Sequence, residues 1–376
     1  MKIGLYVHIP FCHSKCHYCD FLSFANKQLD GEYVEALVKE LCNYSKIIQG
    51  VHTIKSIFIG GGTPTVLSPF LLERVCTTIR EKFNLEEDVE WTIEANPGTI
   101  VKGHIEVFNK CGVNRVSLGL QACQDQLLKD IGRIHTFKEW EQSIYNLCES
   151  EISNINTDLM FMLPGQTLKD WEYSLRTVCS YPIQHISGYS LIVEEGTRFG
   201  DLYSQDKLSL PSEEEDRQMY ELVKSYLKEV GYKHYEISNW AKSGKECKHN
   251  ILYWKQESYI GAGIGAHSYL DEIRYSNTYD LKKYIAYAGD LEKIRQDEEV
   301  ITKKMSQEEF MFLGLRLLEG ISLAEFQAKY GQALDFVYKN QIEKWIKEKA
   351  LVQDKDRLYL TDFGVNISNQ IFSSFL

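Results

Sequence analysis

The sequence predicts an α/β fold: a partial (β/α)6 barrel of parallel strands, followed by a C-terminal helical, winged-helix-like domain. Three observations predict it. Over roughly the first two hundred residues, short apolar runs alternate with longer amphipathic ones six times, the pattern of strand–helix steps that close into a barrel or part of one. Glycines and polar residues fall where those apolar runs stop, which in such a fold is where the chemistry sits. From residue 280 the pattern becomes charged helices and then a hairpin, an appendage of another kind.

Strands are predicted at residues 4–9, 56–60, 89–94, 114–119, 155–160 and 185–191, each a short apolar run bounded by turn formers. Helices are predicted at 32–47, 69–82, 102–111, 125–131 with 137–150, and 168–179, where apolar residues recur every three to four positions. The later helices are 280–288, 306–318, 323–330 and 334–349. Two short strands then face each other across a charged turn within 351–360, and Thr361 opens a last helix. The domains read as a barrel core at 1–230, a middle region at 231–290 and the C-terminal domain at 291–376.

At 376 residues the chain buries a large core, and 44% hydrophobic with 25% charged residues is ordinary for a soluble enzyme. Lys and Arg number 42 against 53 Asp and Glu, a net charge of -11, so no general attraction to nucleic acid or anionic lipid is expected. The C-terminal segment is not a basic stripe, which argues for a cover or a partner-docking module over a nucleic-acid reader. No cleavable leader or membrane-spanning stretch is expected, and contact with a membrane would go through a partner. Seven of the ten cysteines are scattered and read as reduced, buried thiols of a cytoplasmic protein.

The other three are Cys12, Cys16 and Cys19, spaced four then three. Three thiolates are one short of a closed zinc site, whereas a four-iron cluster on three cysteines leaves one iron open to a ligand. Zinc with His8, His13 or His17 as fourth ligand is the alternative, and Cys16-His17-Tyr18-Cys19 also has the spacing of a redox pair.

The predicted strand ends carry the other candidates. The second delivers Gly60-Gly61-Gly62-Thr63-Pro64-Thr65, without the Lys-Ser/Thr of a phosphate loop. Consecutive glycines let the backbone approach a small ligand, although a tight turn is the plainer reading of the triplet alone. The third ends in Glu94-Ala95-Asn96-Pro97-Gly98, the fourth in Gly119-Leu120-Gln121, and the fifth runs through Asp158 to Leu163-Pro164-Gly165. One such polar residue is usually a cap or turn former. Five strands in succession suggest a ring of ligand-binding groups.

Together with Tyr6-Val7-His8-Ile9-Pro10-Phe11-Cys12 and Gly132-Arg133-Ile134-His135, these motifs resemble the radical S-adenosylmethionine superfamily, whose core is a partial TIM-type barrel. Within it the chain is similar to the oxygen-independent coproporphyrinogen III oxidase family. The resemblance implies a [4Fe-4S] cluster on Cys12, Cys16 and Cys19, with S-adenosyl-L-methionine on its open iron. It places Tyr6, Gly61, Gly62, Thr63 and Glu94 around that cofactor, and Gln121, Arg133 and Asp158 further across the site. An apolar barrel would keep solvent from a radical.

The branch is read from what differs. The decarboxylating oxidases carry a further cysteine two residues after the third and a longer N-terminal extension; here that position is Phe21 and eleven residues precede Cys12. The segments His234-Tyr235-Glu236, Cys247-Lys248-His249-Asn250-Ile251-Leu252-Tyr253-Trp254 and Gly261-Ala262-Gly263 resemble the HemW branch, whose His-Asn-x-x-Tyr-Trp signature is associated with heme. That resemblance implies a heme chaperone serving membrane-bound respiratory proteins, with His249 as a heme contact and Cys247 as a rival ligand. His267 reads as structural, closing the site by hydrogen bonding. A radical enzyme that cleaves S-adenosylmethionine to attack a tetrapyrrole is the alternative, and a homodimer is left open.

Overall fold

The computed structural model describes residues 1–26 and 28–376. Its first half is β1 (Lys2–Ile9), α1 (Asp30–Ile48), β2 (Thr53–Gly61), α2 (Pro69–Lys82), β3 (Leu85–Ala95), α3 (Lys102–Cys111), β4 (Arg115–Gln121), α4 (Asp125–Asp130), α5 (Phe137–Cys148), β5 (Asn154–Phe161), α6 (Leu168–Cys179) and β6 (His185–Ser190). All six strands pair in parallel and in chain order. The six expected steps are present, the third strand four residues longer at its start than its apolar run suggested.

Local chemistry sets the helix starts. Ser68 accepts from Leu71 N–H ahead of Pro69, which opens α2. Thr136 with Glu139 and Thr167 with Asp170 form reciprocal capping boxes on α5 and α6. Gly112 ends α3 at φ 83°, the left-handed conformation that glycine adopts without strain.

Each strand has two faces, and their chemistry differs. Ile57 and Ile59, Trp91 and Ile93, Val116 and Leu118 are buried in the main apolar core. The alternate positions are Ser56, Glu90, Thr92, Glu94, Arg115, Ser117, Asn156, Asp158, His185 and Ser187, and those on β4 to β6 are linked around Asn156: its Nδ2 donates to Ser117 Oγ (2.6 Å) and Asp158 Oδ1 (2.7 Å), and its Oδ1 meets His185 Nδ1 (2.6 Å). The inner face is thus a polar network, not the apolar lumen expected.

Two stretches extend this sheet. After α7 (Arg198–Tyr203) and α8 (Glu213–Glu229), the hairpin of β7 (Lys233–Glu236) and β8 (Asn239–Ala241) adds antiparallel to β6. Following α9 (Lys248–Trp254), β9 (Tyr259–Ala262) pairs in parallel with β1, and β10 (His267–Leu270) and β11 (Ile273–Asn277) continue outward. Beyond α10 (Leu281–Tyr287) and α11 (Leu291–Ile294), β12 (Arg295–Val300) completes twelve strands. Its Arg-Gln-Asp-Glu-Glu-Val sequence is mostly exposed, the charge that keeps an edge strand from pairing further.

The remaining elements are α12 (Lys303–Gly314), β13 (Ile321–Ser322), α13 (Leu323–Tyr330), α14 (Leu334–Lys347), β14 (Leu351–Asp354), β15 (Arg357–Leu360), α15 (Asp362–Asn366) and α16 (Ser368–Ser373). They form a helical unit with a three-stranded sheet and its own apolar core, including Phe326, Ile342, Leu358 and Phe375. This unit touches the barrel at β7, where Leu318 N–H donates to Tyr235 O, and at β11, where Arg274 pairs with Glu309 at 2.8 Å. Among the described residues no helix is long and apolar enough to cross a membrane.

Candidate cofactor site

The loop after β1 carries Cys12, Cys16 and Cys19 to the C-terminal ends of the parallel strands. All three are free thiols, half-buried. The loop is pinned by Cys12 N–H to Phe24 O, His17 N–H to Ile131 O and Phe199 N–H to His17 O, each about 3 Å. Burial pushes the Cys19 thiol up to about 11 and also raises Cys12, whose Sγ lies 3.6 Å from Thr63 Oγ1.

Two histidines proposed as a fourth zinc ligand are committed elsewhere. His8 Nε2–H donates to Leu22 O at 2.8 Å while Tyr6 O–H reaches its Nδ1 at 3.0 Å. His17 Nδ1–H donates to Asp130 O at 3.0 Å, and Arg198 donates to its Nε2 at 2.8 Å. Both rings lack a lone pair to offer, which removes them from a zinc site. His13 lies exposed at the rim of the cleft beside Cys16.

The glycine loop meets the cysteine loop closely. A Cβ on Gly62 would stand 2.7 Å from Phe11 O, and one on Gly61, at φ 105°, would stand 2.3 Å from the His8 ring. Glycine is therefore required at both positions for this approach. Gly61 N–H donates to Glu94 Oε2 at 3.0 Å. Thr63 Oγ1 accepts from Asn96 Nδ2 at 2.7 Å, and Asn96 Oδ1 accepts from Arg133 at 2.8 Å.

Charge is concentrated here. Burial, then the charge of Asp158, push the Glu94 carboxyl up to about 7, against the pull of Gly61 N–H, Arg115 and Arg133. Burial also raises Asp158, which Ser187 and Asn156 hold by hydrogen bonds. Arg133 stands in the field of Tyr18, Cys16, Asp158 and Cys19, and its buried Nε has no hydrogen-bond partner among the described residues. Gln121 is buried at φ 75°, a strained left-handed conformation for a residue with a side chain. A cleft between Cys16, Thr63, Asn96 and Arg133 opens at this mouth. Three free thiols, a close glycine approach and an unpartnered guanidinium nitrogen form a donor set suited to a cluster and a small zwitterionic cofactor.

The sequence-predicted residues thus fall into two places. Tyr6, Gly61, Gly62, Thr63, Glu94, Gln121, Arg133 and Asp158 gather with the cysteines in the upper half of the barrel. His249 does not. It lies in the first turn of α9, which fills the opposite end: Glu90 accepts from Lys248 N–H and His249 N–H at 3.1 Å each, and Ser56, in the first half of β2, meets His249 Nδ1 at 2.9 Å. Ser56 is roughly 13 Å along its strand from Gly60, at about 3.3 Å per residue.

The structure places His249, read from the sequence as a heme contact, within this floor. Its ring is 1% exposed, its Nε2 meets Tyr253 Oη at 2.9 Å, and it stacks on Phe58 with centroids 5.4 Å apart. Burial holds it neutral, its pKa lowered to about 3. Cys247, the rival, is fully buried against Glu90, its thiol pushed up to about 12 by burial. Trp254 lies under the Arg316 guanidinium at 4.3 Å. His267 is exposed on β10, bonded to Tyr279.

Three residues of the network were missed. Asn96 bridges Thr63 to Arg133, Arg115 is buried on the inner face, and Tyr18 sits in the field of Arg133. The first had a signal in the Glu-x-Asn-Pro strand end.

A family model described as Radical SAM superfamily matches residues 6–178, and one described as HemN C-terminal domain matches 301–366. The protein named heme chaperone HemW in Bacillus subtilis is 41% identical over 374 residues, covering 99% of this chain and 98% of that one. Its namesake in Lactococcus lactis is 39% identical, covering 99% and 96%. The solved structure of coproporphyrinogen III oxidase (HemN) from Escherichia coli shares the fold at a TM-score of 0.86, with 20% identity, covering 99% of this chain and 89% of that one.

Proposed function

Because the chain belongs to the heme chaperone HemW family, with a radical SAM domain at its core, we propose that it binds heme and passes it to heme-accepting respiratory proteins. The observation that carries this reading is likeness along the whole length to chaperones, at about twice the identity shared with the oxidase structure. Phe21 supports it. That side chain stands 60% exposed on the cysteine loop, where the decarboxylating enzymes have a further cysteine.

Cys12, Cys16 and Cys19 would hold a [4Fe-4S] cluster, and Tyr6, Gly61, Gly62, Thr63, Glu94, Gln121, Arg133 and Asp158 would surround S-adenosylmethionine. When bound, the pair supplies an open iron and one-electron chemistry. The chain's residues do the positioning. Asn96 fixes Thr63 and Arg133 relative to each other, and Glu94 fixes the glycine loop through Gly61 N–H. Asp158 is held from below by Asn156 and Ser117, so its carboxylate is oriented before a ligand arrives.

His249 serves this reading by holding α9 in the barrel floor. Ligation by its Nε2 would first require release from Tyr253. Heme titration of anaerobically reconstituted protein, followed by transfer to an apo-cytochrome, tests the proposal; no saturable heme binding would contradict it.

A further inference from the structure

A line of buried side chains runs from Asp158 at the mouth to the helix in the floor. Asn156 Nδ2 donates to Asp158 Oδ1 at 2.7 Å. Behind it, Asn156 Oδ1 lies 2.6 Å from His185 Nδ1, and His185 Nε2 lies 2.8 Å from Tyr235 Oη. Tyr235 Oη in turn accepts from the backbone N–H of Cys247 at 3.3 Å. Cys247 is the N-cap of α9, and the Tyr235 carbonyl accepts from Leu318 N–H of the C-terminal unit. All four links are buried.

Each hydrogen in this line has one place to go. The Asp158 carboxylate only accepts, so it faces the amide nitrogen of Asn156; an amide turned the other way would set two oxygens 2.7 Å apart. That leaves Asn156 Oδ1 as the acceptor toward His185. Burial, then the charge of Arg115, hold the His185 ring well below the usual histidine range, so the ring is neutral and carries a single hydrogen. That hydrogen is on Nδ1, the nitrogen that faces an acceptor. Nε2 keeps its lone pair, and Tyr235 O–H donates to it. Every donor from the α9 backbone to the mouth therefore points toward Asp158, and bonds aligned in one direction polarise one another in a low-dielectric interior.

We propose that Asn156, His185 and Tyr235 are positioning residues for the cofactor, acting through Asp158. The inference rests on the reading of Asp158 as part of the S-adenosylmethionine site. The chain holds the carboxylate in one orientation before a ligand arrives. Without His185, Asn156 is free to turn its oxygen toward Asp158. The Tyr235 hydroxyl that accepts from the first residue of the α9 cap also sets which nitrogen of His185 is bare, so the seat of α9 and the strength of the cofactor site depend on the same group.

Full-length protein, anaerobically reconstituted and isotopically labelled in its histidine rings, tests the tautomer by proton–nitrogen correlation NMR. The signal missing from His185→Asn is that of His185, and in the parent chain it should show hydrogen on Nδ1 and a bare Nε2. The opposite tautomer, or a doubly protonated ring, would overturn the proposal. Calorimetric titration with S-adenosylmethionine at matched iron content tests the positioning. His185→Leu should bind about tenfold more weakly, and Tyr235→Phe, which keeps the ring and removes the hydroxyl, about threefold. His185→Asn, whose amide nitrogen falls where Nδ1 stands, should recover most of the loss; an asparagine no better than leucine would overturn the proposal. Asp158→Asn separates the chain from the reading beneath it. Parent affinity in that variant would overturn both, whereas weakened binding there with parent affinity in His185→Leu and Tyr235→Phe would overturn the chain alone.

Discussion

Ser56 Oγ meets His249 Nδ1 at 2.9 Å across the floor of the barrel, and with Tyr253 on the other nitrogen it leaves the imidazole fully committed. A motif that reads as a heme contact in the sequence is, in the fold, the plug of the parallel strands. Glu90 caps the same helix from β3, so α9 is held by partners on two strands.

His249→Ala should therefore act on stability. It leaves two buried hydroxyls without their partner and a void beside Phe58, a combination that costs about 2–4 kcal/mol. Denaturant titration should show that loss, while the heme absorption band on reconstituted protein stays at its parent position. Loss of the band with unchanged stability would return His249 to the role of ligand.

Asn96→Ala should weaken S-adenosylmethionine binding. Removing it frees both Thr63 and Arg133 from their fixed positions, and the loss of such a pair of bonds amounts to about tenfold in affinity. Calorimetry on protein with full iron content is the measurement; parent affinity would show that Asn96 only fills space.

Replacing any one of Cys12, Cys16 and Cys19 with serine should abolish cluster formation. Anaerobic reconstitution followed by iron and sulfide analysis should give near-background values in each variant. Cys42→Ser, on α1 and away from the loop, should retain the parent content.

Glu40 predicts a pH dependence of stability. It is buried on α1 between Tyr284, Asn277 and Gly263 N–H, and burial raises its carboxyl from 4.5 to about 7 against those bonds and the charge of Arg295. The folded chain keeps a proton that the unfolded chain releases. The group's contribution is thus complete below the unfolded value and is lost as pH rises through the folded one. Relative to Glu40→Gln, the parent chain should lose stability between about pH 5 and 7.5 in thermal melts. Parallel curves would contradict the assignment.

The barrel mouth was legible because its residues sit in short motifs at strand ends, where position along the chain is also position in space. Cys12 to Cys19, Gly61 to Thr63, Glu94 and Arg133 needed only the strand order to meet. The rest depends on long-range contact. Glu40 finds Asn277 and Tyr284 more than two hundred residues away, and no local pattern announces it. Helix α8 was missed although Ser212 and Glu215 form a capping box, and β7 to β12 are short or, like β12, mostly charged, so alternation is hard to see. Whether a histidine nitrogen is open or taken is a property of its neighbours, so the surroundings of His249 were not legible from its motif.

The account rests on heme being the cargo and not the product of nearby chemistry. One preparation, anaerobically reconstituted and supplied with S-adenosylmethionine, should be divided between a heme titration and an assay for decarboxylation of coproporphyrinogen III. Saturable, roughly stoichiometric heme binding with no porphyrinogen turnover is the predicted result. Sustained decarboxylation without specific heme binding would contradict it.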